Sequence, residues 1–182
     1  LLREEGLQIF HAQTNAVNGG SIRLYVEHVE HARGSYQEST AVREIRKRDL
    51  RLATKQSWTG LRRDVEQIRE RVHAEIDMAW KAGGQVDAYG ASTKGNTLLQ
   101  YMKLGKKEIR VALERSPQKW GRYTVGSWIP IVSEEEGRED PARLLLCLPW
   151  HFREAILERE DGKWPKETRM LFPLPEIELR RL

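Results

Sequence analysis

Three short segments of this chain carry side chains able to do chemistry, and each follows an apolar run. The first is Tyr89-Gly90-Ala91-Ser92-Thr93-Lys94-Gly95-Asn96-Thr97. Glycine at a turn permits positive φ and close backbone approach. Ser92, Thr93, Lys94 and Asn96 add donors, and a helix starting at the end of the segment would offer free N–H groups and a partial positive charge. That combination suits an anion, phosphate above all. Two nucleotide-binding signatures are near misses. A dinucleotide fingerprint wants glycine at 90, 92 and 95, and position 92 is Ser. A phosphate loop of the Gly-x-x-x-x-Gly-Lys-Ser/Thr type fits at Gly90, Gly95 and Thr97, but position 96 is Asn and the lysine is Lys94. The competing reading is a tight turn with no ligand.

The second segment opens at Glu114. Acids at such a place bind ribose hydroxyls in dinucleotide-binding domains, although a solvated surface Glu fits equally well. Lys119, Arg122 and Tyr123 follow, with Trp120 among them. Cations beside aromatics suit a phosphate and a flat ring, or a plain domain contact. The third segment is Pro149-Trp150-His151. His151 could touch a phosphate or sugar, or simply pack against Trp150. No Ser/His/Asp set, paired His or acid pair stands out, so neither a catalytic residue nor a metal site is expected.

These segments need a scaffold. Val86–Tyr89, Ile109–Leu113, Ile129–Val132, Arg143–Leu148 and Met170–Phe172 read as strands, the fourth a continuous apolar run of the kind buried in parallel sheets. Thr97–Met102 and Phe152–Glu160 read as helices, and the Pro-containing end, 175–179, as an extended tail. Alternating strands and helices predict a doubly wound α/β domain with a parallel sheet. Ligands in such sheets bind outside the carboxyl ends of the strands, where 90–96, 114–122 and 149–151 fall. Upstream, Leu61, Val65, Ile68, Val72, Ile76 and Trp80 recur at helical spacing, which predicts a long helix over 58–82 stopped by Gly83-Gly84. His73 beside that stripe reads as a packing or surface residue. Ala32–Ser35 reads as a linker, with Ser39 and Thr40 as helix caps. Leu7–His11 and Ile22–His28 read as two strands joined at Asn18-Gly19-Gly20-Ser21. Two strands alone are marginal in water and expose unpaired edges, so residues 1–30 are expected to be disordered or to dimerise with another copy.

Composition narrows the classes. The chain has 182 residues, 39% hydrophobic and 32% charged, and no run long enough to span a membrane. Six Trp argue against wholesale disorder, and a single Cys excludes a disulfide framework. A net charge of +4 is mild, so nucleic acid is not an expected partner. Six of the basic residues, against two acids, lie within 41–55, where the alternatives are a solvated helix face and a nucleic-acid contact. No secretory leader is readable, which leads us to expect a cytoplasmic protein.

In order and spacing, these segments resemble the C-terminal domain of bacterial sugar C-methyltransferases, which act on nucleotide-linked deoxysugars. The matching pieces are Asn18–Val26, Tyr89–Thr97, Glu114–Tyr123, Ile129–Val132, Leu146–Glu154 and the Pro173-Leu174-Pro175 end. Thr93 stands where Ala is common, and Glu114 where Asp is common. The resemblance implies a Rossmann-like domain over 85–182, a helical connector over 36–84, and a remnant of a central methyltransferase domain over 1–35. It also implies a sugar nucleotide as ligand, held by residues 90–96 with Glu114, Lys119, Arg122, Tyr123, Trp150 and His151. S-adenosylmethionine and zinc would belong to central and N-terminal domains outside this sequence, and the piece alone would be inactive. Two alternatives stand beside this one. One is a nicotinamide or other nucleotide-binding domain of an oxidoreductase. The other is a non-enzymatic interaction module built on the basic helix 41–55.

Overall fold

A computed structural model describes residues 1–31 and 39–182. The linker expected at 32–35 lies outside them. The described chain divides into two compact units, Leu1–Asp64 and Val65–Leu182.

In the first unit, β1 (Leu7–Asn15) and β2 (Ser21–His28) form an antiparallel hairpin, with a register shift between Ile9 and His11. β1 runs four residues beyond its apolar core, because the turn forms only at 17–19, where Asn18 adopts a left-handed φ of 56°. Helix α1 (Thr40–Leu52) is capped by Ser39, whose hydroxyl accepts the Val42 N–H. The hairpin is not left bare: α1 packs on β1, with Val42 and Ile45 facing Ile9, Ala12 and Leu24. Helix α2 (Lys55–Lys81) follows, and Gly83, at φ 71°, ends it in the left-handed region.

The second unit is a six-stranded sheet in the order β5-β4-β3-β6-β7-β8. β3 is Val86–Tyr89, β4 Ala112–Glu114, β5 Ile131–Ser133, β6 Leu144–Cys147, β7 Arg169–Phe172 and β8 Glu178–Arg181. The first five are parallel, and β8 runs antiparallel along β7. The doubly wound parallel sheet expected from the sequence is therefore present, in the Rossmann order. Alternating side chains divide the core. Val86, Ala88, Ala112, Leu144 and Leu146 face one way, against Val72, Ile76 and Ala79 of α2 and Leu99 and Met102 of α3 (Thr93–Met102). Tyr89, Leu113, Leu145 and Cys147 face the other way, toward Ile156 of α5 (Arg153–Glu160). Short α4 (Glu134–Glu139) lies on this second side, since a Cβ on Gly137 would sit 2.5 Å from Leu113.

Several boundaries differ from those expected. α3 starts at Thr93, not Thr97, because Ser92 caps it with a hydroxyl that accepts the Gly95 N–H at 3.0 Å. Regular pairing of β4 begins at Ala112, because Ile109 is still bonded back to Gly105 within a turn. β5 similarly starts two residues late, since the Trp128–Pro130 stretch turns back toward Thr124. The extended tail is a sheet strand, β8. α4 was not legible at all, being only six residues long and mostly charged. Along α2 the stripe holds at Val72 and Ile76, but Leu61 is 52% and Trp80 43% exposed, and Ala79 takes the buried place instead. His73 packs as expected, its Nε2 2.7 Å from the Met102 carbonyl.

At the amino end of the sheet, Arg110 forks onto the fully buried Asp87 at 2.7 and 3.0 Å and also reaches Asp140. Burial pushes the Asp87 carboxyl up, and the Arg110 guanidinium opposes it. This pair ties β3 to the segment leading into β4, at the end away from the loops that follow the strands.

Two glycines test the packing. A Cβ on Gly95 would sit 2.8 Å from Leu148 Cβ, so Gly95→Val should cost about 1–3 kcal/mol. Gly60, inside α2, has nothing within 4 Å, so Gly60→Ala should stabilise by about 0.5–1 kcal/mol. Urea unfolding midpoints should move in opposite directions for the two proteins.

Candidate functional site

The strand order reverses between β3 and β6, so the loops leaving them diverge over a crevice. They touch there. Gly90, at φ 84°, follows Tyr89, and a Cβ on it would meet Pro149 Cδ at 2.9 Å. Only glycine satisfies both the conformation and the contact.

Against this turn lies the loop leaving β4. Glu114 accepts the Ala91 N–H at 3.0 Å, the Ser116 N–H at 3.1 Å and the Lys119 ammonium at 2.9 Å. Lys119 also donates to the Ala91 carbonyl at 3.1 Å, and Trp120 Nε1 to the Glu114 carbonyl at 2.7 Å. Burial works to raise the Glu114 carboxyl, but Lys119 and the two backbone donors outweigh it and hold it below the usual range. Glu114 thus clasps the glycine turn to its own loop, and most of its acceptor capacity is engaged.

A cavity of about 550 Å³ opens beside this clasp. Gly90, Ala91, Ser92 and Pro149 line it, together with Glu114, Arg115 and Lys119 of the β4 loop. The lining also takes in Phe152, immediately before α5, and Ala155, Ile156 and Arg159 along one face of that helix. Tyr89 and Glu134 also line it.

Beneath runs a buried ionic network. Fully buried Glu160 accepts Arg138 Nη2 at 2.8 Å, Trp164 Nε1 at 2.9 Å, the Tyr89 hydroxyl at 2.8 Å and Arg159 Nε at 2.8 Å. Arg159 Nη2 donates to Glu134 at 2.8 Å and to the Tyr89 hydroxyl. Burial would raise the Glu160 carboxyl, but its donors, Arg138 first, lower it to about 2. Burial, with Glu134 and Glu160 nearby, pushes the Tyr89 phenol far up, so it stays neutral.

Of the thirteen expected residues, the cavity wall gathers Gly90, Ala91, Ser92, Glu114 and Lys119. Thr93 and Lys94 are exposed in the first turn of α3, Gly95 packs on Leu148, and Asn96 keeps a shielded Oδ1 with no hydrogen-bond partner. Arg122 and Tyr123 line a separate cavity of about 270 Å³ beside β5. Trp150 and His151 lie in the turn after β6, outside the cavity wall. The His151 ring lies tilted against that of Phe152, their centroids 4.3 Å apart, and burial together with Lys94 holds its imidazole below the ordinary value. The expected list lacked Tyr89, Arg115, Glu134, Pro149, Phe152, Ala155, Ile156 and Arg159. Phe152, Ala155 and Ile156 share one side of the expected helix, but nothing in the sequence linked that side to the site; Phe152 is 56% exposed. No local pattern marks Glu134, which reaches the site only through the fold.

Residues 16–175 match the family described as the C-methyltransferase C-terminal domain. This chain belongs to that family. Over 178 residues, this C-methyltransferase C-terminal domain is 28% identical to C-methyltransferase NovU of Streptomyces niveus. That alignment takes in 97% of the chain but 42% of the relative, so the chain spans about two fifths of the length of the curated protein it matches. Among the described residues of the domain, no group of three or more His, Cys, Asp or Glu could hold a metal ion, and no helix is long and apolar enough to cross a membrane.

The ionic network gives the domain an acid sensitivity. Because the folded Glu160 value lies below its usual 4.5, its contribution is complete above about pH 4.5 and is lost as pH falls toward about 2. Glu160→Gln should cost about 3 kcal/mol at pH 7, by leaving Arg138 and Arg159 short of a buried counter-charge. It should also flatten the fall in stability below pH 4.5. Urea denaturation of both proteins from pH 3 to pH 7 measures the two slopes.

Proposed function

We propose that this domain binds the nucleotide diphosphate of a nucleotide-linked sugar, while methyl transfer is performed elsewhere in a longer protein. The observation that carries this reading is the cavity at the β3/β6 crossover. It combines a glycine turn packed on Pro149, an apolar α5 face and a wall of three basic and two acidic side chains. Its volume of about 550 Å³ lies in the range of small-molecule sites. Phe152 and Ile156 offer an apolar surface to a base or sugar ring, and the excess positive charge suits phosphate. The sugar itself comes from the family resemblance.

Two other ligands fit less well. A nicotinamide dinucleotide needs an acid free for ribose and an unencumbered second glycine. Here Glu114 already accepts three donors, and Ser92 caps α3. S-adenosylmethionine carries a sulfonium cation, which an excess of positive charge disfavours. Zinc finds no ligand set among the described residues, so no step is assigned to it or to the methyl donor within this domain. In the proposed reading the chain's own residues bind and orient the ligand. Glu114 and Lys119 hold the turn, Gly90 lets the backbone approach, and the α5 face excludes water from one side of the ligand.

Calorimetry on this chain tests the reading. Thymidine diphosphate or uridine diphosphate should bind with one-to-one stoichiometry, and NAD and S-adenosylmethionine should not. Gly90→Val should abolish diphosphate binding, because its side chain meets Pro149 at a φ of 84°. Tight binding of NAD or S-adenosylmethionine, or of neither diphosphate by the unaltered chain, would overturn the proposal.

A further inference from the structure

We infer that Arg115, rather than any lysine of the glycine turn, is the side chain that grips the ligand's diphosphate. The inference rests on the reading of the cavity just given and names the recognition group within it. Three cations line the wall, and two are engaged by protein partners. Lys119 is tied to Glu114 at 2.9 Å and to the Ala91 carbonyl at 3.1 Å. Arg159 is tied through Nε to Glu160 and through Nη2 to Glu134 and Tyr89. Both acids of the wall, Glu114 and Glu134, are engaged by those same cations. Arg115 alone among the described cations of the wall has no acidic partner, so the cavity's excess charge is its own.

The surroundings keep it that way. Arg115 adjoins Glu114, the nearest acid in sequence, but that carboxylate is held by Lys119 and by the Ala91 and Ser116 N–H groups. The same bonds fix the backbone on either side of Arg115. An exposed guanidinium thus stands on a fixed base beside the glycine turn. Its planar fork suits two oxygens of one phosphate, a geometry an ammonium cannot match. Lys94 is differently placed: it belongs to α3, on the opposite side of the sheet from α4 and α5, and does not line the cavity.

The test compares thymidine, thymidine monophosphate and thymidine diphosphate binding to the unaltered chain and to Arg115→Ala, Arg115→Lys, Lys94→Ala and Lys106→Ala. Arg115→Ala should weaken diphosphate binding about ten- to a hundredfold, leave thymidine binding within twofold and leave the melting temperature unchanged, since Arg115 has no partner to lose among the described residues. Arg115→Lys should restore part of the loss. Lys106→Ala, which removes an equal charge outside the cavity, should stay within twofold. Diphosphate binding that survives Arg115→Ala, or a loss confined to Lys94→Ala, overturns the assignment of Arg115 while leaving the cavity's ligand class intact. No diphosphate binding by the unaltered chain overturns the reading of the cavity itself.

Discussion

Glu160 ends α5, and its carboxylate draws together groups from four places: Tyr89 at the end of β3, Arg138 on α4, Arg159 on α5 and Trp164 beyond it. Bringing a carboxylate out of water is expensive, and an apolar core of the same shape is often as stable. A network of this kind does something an apolar core cannot: it fixes directions. Tyr89 and Arg159 are each held at defined atoms, and α5 is locked to the central strand of the sheet. The cavity wall on that side is a face of α5, so its position depends on this carboxylate remaining charged. Removing one partner is far more damaging than never having built the network, because the remaining buried groups lose their compensation.

The glycine turn divides its work in a way that redirects the site. Gly90 provides the close approach of the β3 and β6 loops, and Gly95 lets α3 lie against Leu148. Ser92, where a dinucleotide site would have glycine, caps α3 instead. The cap satisfies one of the N–H groups that a phosphate would otherwise use. In the proposed reading, the charge for an anion then comes from side chains beyond the turn. The crevice remains where strand topology places it, but the cations lining it are Arg115 and Lys119 of the β4 loop and Arg159 of α5, none of them from the turn itself.

Much of the scaffold was legible because it rests on short-range signals. The apolar run at 144–148 and the short segment at 86–89 ahead of a glycine turn were readable as strands, and Gly83-Gly84 marked the end of α2. The site was less legible because it is assembled across the sheet. Gly90, Ala91, Ser92, Glu114 and Lys119 lie next to strand ends and were found by that rule. Glu134 and Arg159 are brought in by α4 and α5, and an isolated Glu or Arg on a short charged helix looks like any solvated residue. Phe152 misleads for the opposite reason: its spacing with Ala155 and Ile156 is that of a core stripe, and only the fold shows that α5 has more apolar surface than the sheet covers. Arg115 gives no local signal, since what singles it out in the proposed reading is the lack of an acidic partner among the described residues.

That surplus bears on how firmly the domain could hold a ligand by itself. Phe152 and Arg115 are both open to solvent, and contacts between unit charges in bulk water are worth about 1 kcal/mol at 4 Å, against about 4 kcal/mol near a partly dehydrated protein surface. A guanidinium–phosphate contact in an open cavity therefore carries only part of its full strength. Covering the cavity would bury the remaining face of Phe152 and remove water from Arg115 at once, strengthening the apolar and the ionic contacts together. In the proposed reading the domain supplies the positioned half of a binding site, and whatever closes over it gains from groups that Glu114, Lys119 and Glu160 have already set in place.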